Sequence, residues 1–467
     1  MSCRRSMHQS GLLGSSSRIK QILSGTAWAV ASCLVSTPLL AEQTTTDTGI
    51  AIPGYQPGVH KPGPVRPQPK QRRNNPYYYG FVPFYQKAPP LTVVPIVKPK
   101  PARSDFVKDE LLLVYDFGLS VDEVKAITDK YKLKRKGGMA IGSLRKGVVI
   151  ADTQGQSPLD LSDTINKAEK SFAASTNNYF MLAANTNSSR PGSYPLAQTG
   201  IGIAHGVSNG RGVLIGLVDT PVDLNHPTLR SSNIEQRNIV DPNTVESKAH
   251  GTSIAGILVS KNPRIGIAPE AKVLSVGAFS SVPGHPSSLR GTSTDIVSAI
   301  AYCIERKVDI LNLSFTGSRD TFLENIVREA IRQNIVVVAA GGNNGRTGST
   351  IYPALIDGVI GVTAVDKNRR LFSKADKGRF IDIAAPGVNI LTTAPQGKYQ
   401  VSTGTSMAAA HISGAMALLK SYDRRFTASQ LNRTSTDLGQ RGRDDEFGNG
   451  LVNVSEALRQ LGAPIRQ

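Results

Sequence analysis

Three short segments carry residue types that together can break an acyl bond. Asp219 closes the apolar run VLIGLVD, His250 opens HGTSIAGIL, and Ser406 lies in GTSMAAAHISG, where small residues lead into a helical pattern. A serine hydroxyl attacks a carbonyl when a base takes its proton, a carboxylate holds that base in the right tautomer, and donors meet the developing oxyanion. His250 and Asp219 are the residue types for the first two tasks. Ser406 at the start of a helix would aim its own N–H and the positive helix end at the oxyanion. Asn343, just past the run IVVVAAG, offers a side-chain amide as second donor, and its neighbour Asn344 is the alternative.

The elements that would position these residues are legible from about Leu196 onward. Buried-strand runs at Val213–Val218, Val308–Leu313, Ile335–Ala340, Val359–Val365 and Phe380–Ala384 alternate with amphipathic helical patterns. That alternation predicts an α/β fold with a doubly wound, mostly parallel sheet, whose sites lie beyond the carboxyl ends of its strands. One helical pattern carries Ile296, Ala299, Ile300, Cys303 and Ile304 on a single face, so Cys303 is expected to pack in a core.

Upstream, residues 105–184 read as strand, helix, strand, helix, strand, a small α+β unit of ferredoxin-like type. Ser120 with Glu123 forms a capping box at the first helix, and Leu161, Ile165 and Ala168 stripe the second. Residues 185–195, rich in Asn, Ser, Pro and Gly, form an exposed connector.

The four chemical segments occur as VDT at Asp219, HGTS at His250, AAGGNNG around Asn343 and GTSMA at Ser406, in the order Asp, His, Asn, Ser. In these motifs and that order the chain resembles the subtilisin-like serine proteases over roughly Leu196 to Leu458, including the tail FGNGLVNVSEAL. The resemblance implies an endopeptidase with Asp219, His250 and Ser406 as its triad, Asn343 as the oxyanion amide, and no required cofactor or metal. It also implies a substrate edge at Ser314, Phe315, Thr316 and Gly317, opposite backbone near Gly341 and Gly342, on which a polypeptide lies as an added strand. Whether calcium supports the fold is left open. By position, size and element order, 105–184 resembles the family's inhibitory pro-segment, expected to dock by its sheet and to be cut off by Ser406 between Ala184 and Gln198. A spacer domain that stays attached is the alternative.

Three positions depart from the family pattern. Pro221 stands where glycine usually follows Asp-Thr, Ser253 replaces a commoner histidine, and Ala410 replaces the proline before His411. None removes a catalytic group. Asp223 and His226 read as shaping a surface turn and His411 as a packed helix residue, while His205 and His285 sit in loop-like sequence. Asp444, Asp445 and Glu446 lack the alternating oxygens of a calcium loop and read as a solvated turn.

The net charge of +19 is unevenly placed: residues 1–104 carry 13 Lys and Arg against two acids, more than half of the excess. The rest is dispersed without an arginine-rich helix or a zinc-finger spacing, which argues against nucleic acid as partner. Residues 1–41, basic and then apolar and closing on Leu-Leu-Ala, read as an export signal cut after Ala41. The alternatives are a membrane anchor, for which the apolar run is short, and lipid attachment at Cys33. Cutting after Ala41 leaves Cys303 as the one cysteine, and therefore no intrachain disulfide. Residues 42–104 read as a proline-rich basic linker with interleaved Tyr77, Tyr78, Tyr79, Phe81, Phe84 and Tyr85, a solvated spacer, with association with the cell envelope or a partner surface as the alternative. Two function classes follow: an exported serine endopeptidase made as a self-processing precursor, or a catalytically silent envelope-binding protein on the same fold.

Overall fold

The computed structural model describes residues 106–465 except 183–184, 187–193, 241–243, 245–246, 283–284 and 348–350. The expected export signal, Cys33, the proline-rich linker and most of the 185–195 connector lie outside the described residues. Among those described, no helix is long and apolar enough to cross a membrane.

The chain first forms β1 (Phe106–Asp116), α1 (Val121–Lys130), β2 (Lys134–Ile141), β3 (Lys146–Asp152), α2 (Pro158–Ala168) and β4 (Phe172–Leu182). The strands make an antiparallel sheet in the order β2-β3-β1-β4, one strand more than the sequence pattern suggests. The extra strand, β2, reads KRKGGMAI; it is largely exposed and offers no alternation of apolar residues. The capping box of α1 forms as read, with Ser120 Oγ accepting from Glu123 N at 3.2 Å and the Glu123 carboxylate accepting from Ser120 N at 2.7 Å. Leu111, Leu113, Val124, Val149, Leu161 and Ile165 close a small core of their own.

After β5 (Asn185–Thr186), α3 (Pro195–Gln198) and α4 (Ile201–Ala204), the larger unit begins with β6 (Leu214–Asp219), β7 (Ile234–Asn238), α5 (Ala249–Val259) and β8 (Lys272–Gly277). It continues through β9 (Ser280–Val282), β10 (His285–Thr292), α6 (Ser293–Glu305), β11 (Ile310–Leu313), β12 (Phe315–Thr316), α7 (Thr321–Arg332) and β13 (Val336–Ala340). It closes with β14 (Ile360–Val365), β15 (Ile383–Pro386), β16 (Ile390–Ala394), β17 (Lys398–Thr403), α8 (Thr405–Tyr422), α9 (Ala428–Arg433) and α10 (Val454–Gln460). Seven strands form the expected parallel sheet, in the order β15-β14-β13-β11-β6-β8-β7. Side chains of β6 alternate between its faces, Ile215 and Leu217 joining the core with α5 and α8, Leu214 and Val218 the core with α6 and α7. Helix α8 is buried through its first fifteen residues, which explains its run of Ala and Gly: at Gly414 an added Cβ would lie 2.8 Å from Ile267.

One strand belongs to both units. β4 pairs with β1 through Phe172–Thr176, then with β10 on one side and β12 on the other, both antiparallel. Next to that pairing, Asn178 N donates to Ser293 Oγ at 2.9 Å and Asn178 Nδ2 to Asp320 Oδ2 at 2.8 Å. Asp320 in turn caps α7 by accepting from Leu323 N. Two neighbouring helix N-termini are thus tied to the small unit by one strand.

Candidate active site

The parallel sheet brings the chemical residues to its carboxyl end. Asp219 is the last residue of β6, and β11, its neighbour in register, leads directly into Ser314. Helix α5 packs against β6 and α8, and carries His250 at its second position. Its approach needs Gly251: a Cβ there would lie 2.1 Å from the Thr220 carbonyl, while Gly251 N donates to Thr220 Oγ1 at 2.8 Å. His250 Nδ1 then stands 2.8 Å from both Asp219 oxygens, and the completely buried carboxylate also accepts from Thr220 N at 2.7 Å. With Nδ1 held as the donor, Nε2 is the ring's acceptor; it is buried and makes no hydrogen bond among the described residues.

Ser406 occupies the second position of α8 and is fully buried. Its Oγ donates to the Ser314 carbonyl at 2.8 Å, and Ser314 Oγ donates back to the Ser406 carbonyl at 3.2 Å. Ser314 is itself anchored by Asn312, whose Oδ1 accepts from Ser413 of α8. One residue before Ser406, Thr405 donates from its N and its Oγ1 to Asn343 Oδ1, both at 3.0 Å. Asn343 is therefore oriented by its carbonyl oxygen, beside Ser406. Asn344 turns the other way, with its N at 3.3 Å from Asp376 Oδ2. Sequence reading gave no role to Thr405 or Asp376, whose contacts are made across the fold.

The substrate edge read from sequence is a strand: Phe315 pairs with Leu182 and Thr316 with Met181. Across β4 the facing strand is β10, through Thr292, Gly291 and Arg290 opposite Tyr179, Phe180 and Met181. Gly341 and Gly342, just past β13, leave no room for a Cβ against Val362 and Asp376 respectively. Phe180 is buried at the centre of this ribbon, edge-on to Phe315 with ring centroids 5.7 Å apart, and closes over Gly317, where a Cβ would lie 2.2 Å from its ring. Beyond Leu182 the chain pairs again at Asn185–Thr186, now with Thr403 and Ser402, three to four residues before Ser406.

A family model, the subtilase family of S8 peptidases, matches residues 210–450. The chain belongs to the subtilase family. It is 36% identical over 239 residues to a major intracellular serine protease of Bacillus subtilis, covering 48% of this chain and 73% of that one. It is also 34% identical to subtilisin DY of Bacillus licheniformis, over 54% of this chain and 92% of the relative. Among solved structures, fervidolysin of Fervidobacterium pennivorans, a keratinolytic enzyme related to subtilisin, superposes with a TM-score of 0.64. That match has 20% identity and covers 81% of this chain and 66% of the other. This subtilase is accordingly a serine endopeptidase with the subtilisin fold.

The remaining residues singled out in the sequence fall outside the chemistry. His411 is buried, with Nδ1 2.7 Å from the Met407 carbonyl, and burial pushes its pKa down to about 4, so it is a neutral packed residue. Burial likewise holds the Cys303 thiol up at about 12, inert within its core. His226 is not at the surface: it is fully buried, bonded to the Lys398 carbonyl and edge-on to Tyr399. Asp223 does shape the turn, accepting from Asn225 N and Gln396 N. His205 bonds the Ile267 carbonyl, and His285 opens a strand where a loop was expected. Asp444 accepts from the N–H groups of Glu446, Phe447 and Gln440, as a turn-building residue does. Ser253, one of the departures from the family pattern, is fully used: it donates to the Thr393 carbonyl and accepts from Gln400, tying α5 to β16 and β17.

Proposed function

We propose that this subtilase is an exported endopeptidase that attacks peptide bonds with Ser406, using His250 as base, Asp219 as orienting acid and Asn343 as oxyanion donor. Ser406 Oγ leaves the Ser314 carbonyl and turns to His250 Nε2, which takes its proton as the C–O bond to the scissile carbonyl forms. Asp219 holds the Nδ1–H and stabilises the imidazolium. The new oxyanion meets the Asn343 amide and the Ser406 N–H, and the proton passes from His250 to the leaving amine as the C–N bond breaks, leaving an acyl-enzyme that water hydrolyses. This step assigns no cofactor or metal. The orientation of Asn343 by Thr405 and the turn of Asn344 toward Asp376 favour Asn343 over its neighbour.

The observation that carries the regulatory half is the path of β4. A chain that pairs as a third strand between β10 and β12, and pairs again beside Ser406 at Asn185, follows the course of a substrate. We therefore read residues 105–184 as a ferredoxin-like pro-domain that inhibits the enzyme in the precursor, and propose the cut between Leu182 and Asn185, reaching two bonds upstream of the Ala184–Gln198 interval read from sequence. Its strand order, with β1 and β3 central, agrees with that module. Residues 196–467 form the catalytic domain and polypeptides are its substrates. Residues 1–41 direct export to the periplasm, envelope or exterior, and the basic aromatic linker provides envelope association. Membership of a family of serine endopeptidases does not favour the catalytically silent reading. A fluorophosphonate probe tests the nucleophile: covalent label on Ser406, absent from the Ser406→Ala variant, is expected. A folded, processed protein that takes up label elsewhere or not at all contradicts it.

A further inference from the structure

A buried carboxylate lies beneath the turn that carries Asn343 and takes no part in the step above. Asp376 follows β14, in irregular chain, and is completely buried. Its Oδ1 accepts from Arg346 N at 2.7 Å and its Oδ2 from Asn344 N at 3.3 Å, with Asn344 Nδ2 at a long 3.5 Å. Asp376 N donates in return to the Gly342 carbonyl at 3.1 Å. Flanking bonds complete the seam: Gly345 N to the Lys374 carbonyl at 2.9 Å and Lys377 N to the Arg346 carbonyl at 2.8 Å. Gly342 lies flat on the carboxylate, with φ +100° and no room for a Cβ, which would stand 2.1 Å from Asp376 Oδ2. A carboxylate taken out of water is tolerated when N–H donors surround it, and here the donors come from one turn, residues 342–346. Thr405 holds the oxygen of the Asn343 amide and Asp376 holds the backbone on which that amide stands.

We propose that Asp376 is a positioning residue of the oxyanion hole: its carboxylate, acceptor on both oxygens, fixes the 342–346 turn so that the Asn343 amide stands where the oxyanion forms. The proposal rests on the assignment of Asn343 given above. Asn at 376 preserves size but exchanges one acceptor for a donor, so either Arg346 N or Asn344 N faces an NH2 group and the turn shifts. Misplacement on the scale of an ångström costs catalysis up to about a hundredfold.

The test is a double-mutant cycle on peptide hydrolysis by the enzyme matured from the full chain: wild type, Asp376→Asn, Asn343→Ala and the double variant, each checked for folding by thermal unfolding. Asp376→Asn is expected to lower kcat by roughly ten- to a hundredfold with KM within about twofold. In the Asn343→Ala background the same change is expected to cost little more, because the amide it positions is gone. Should Asp376→Asn not fold, Asp376→Ser, which keeps one acceptor, is carried through the same cycle with the same expectation. Wild-type kcat in the Asp376 variant overturns the proposal and leaves the function intact. Losses that multiply in the double variant also overturn it, since Asp376 then acts on something other than Asn343. An unchanged kcat in Asn343→Ala alone overturns the oxyanion assignment, and the proposal with it.

Discussion

At the scale of single residues, the Asp219–His250 pair and the orientation of Asn343 carry the account. Replacing Asn343 by Ala is expected to lower kcat by about 10²–10³ with little change in KM, a magnitude known from subtilisin's own oxyanion amide rather than set by this geometry. Steady-state kinetics checks it, and an unchanged kcat beside a large loss in Asn344→Ala would move the role one residue along. His411 gives a second residue-level expectation. Its folded pKa of about 4 lies below the ordinary histidine value of about 6.5, so the folded state resists its protonation. The stability this contributes is present above pH 6.5 and is lost as pH falls toward 4, roughly 3 kcal/mol in all. His411→Asn keeps a donor for Met407 and cannot charge; in a Ser406→Ala background its Tm should fall less than the parent's over this range, whereas parallel curves would contradict the assignment. The placement of Asp219, His250, Asn343 and Ser406, whose catalytic roles are those proposed above, was legible in the sequence because each ends or follows an apolar strand run or opens a helix. Asp376 was not, since a lone aspartate in FSKADKG acquires meaning only from N–H groups thirty residues away.

At the scale of elements, parallel strands buried on both faces read directly as apolar runs, so β6, β11, β13, β14 and β15 were located to within about three residues. β2 was hidden by its lysines and glycines, and β10 by its polar sequence, HPSSLRGT, which becomes a strand by pairing with β4. The ribbon that β4 forms with β10 and β12 is likewise a product of tertiary pairing. The ribbon is reinforced where Asn178 reaches Asp320, and Asn178→Ala leaves a buried carboxylate short of one donor. Removing a hydrogen bond to a charged group costs about 1.5–3 kcal/mol, so the inhibition constant of added 105–184 should rise roughly ten- to a hundredfold. Titration of the mature enzyme with the two forms of the segment measures this, and equal constants would show that the contact adds nothing to docking.

At the scale of the whole molecule, the proposed self-inhibition rests on one path of the chain: β4 completes a ribbon with β10 and β12, and Asn185–Thr186 then pairs beside Ser406. The α/β alternation announced the two units, and their order along the chain suggested the relation between them. The pairing on which the proposed inhibition rests was beyond the sequence, because strand register between distant segments is set by tertiary contact. The measurement closest to the central claim is the processing of full-length wild type and Ser406→Ala, expressed side by side and followed by intact mass and N-terminal sequencing. The wild type should yield a mature chain beginning between residues 183 and 185, with the Ser406→Ala precursor remaining uncut. Equal processing of both forms, or a wild type that stays whole while hydrolysing added peptides, would contradict it.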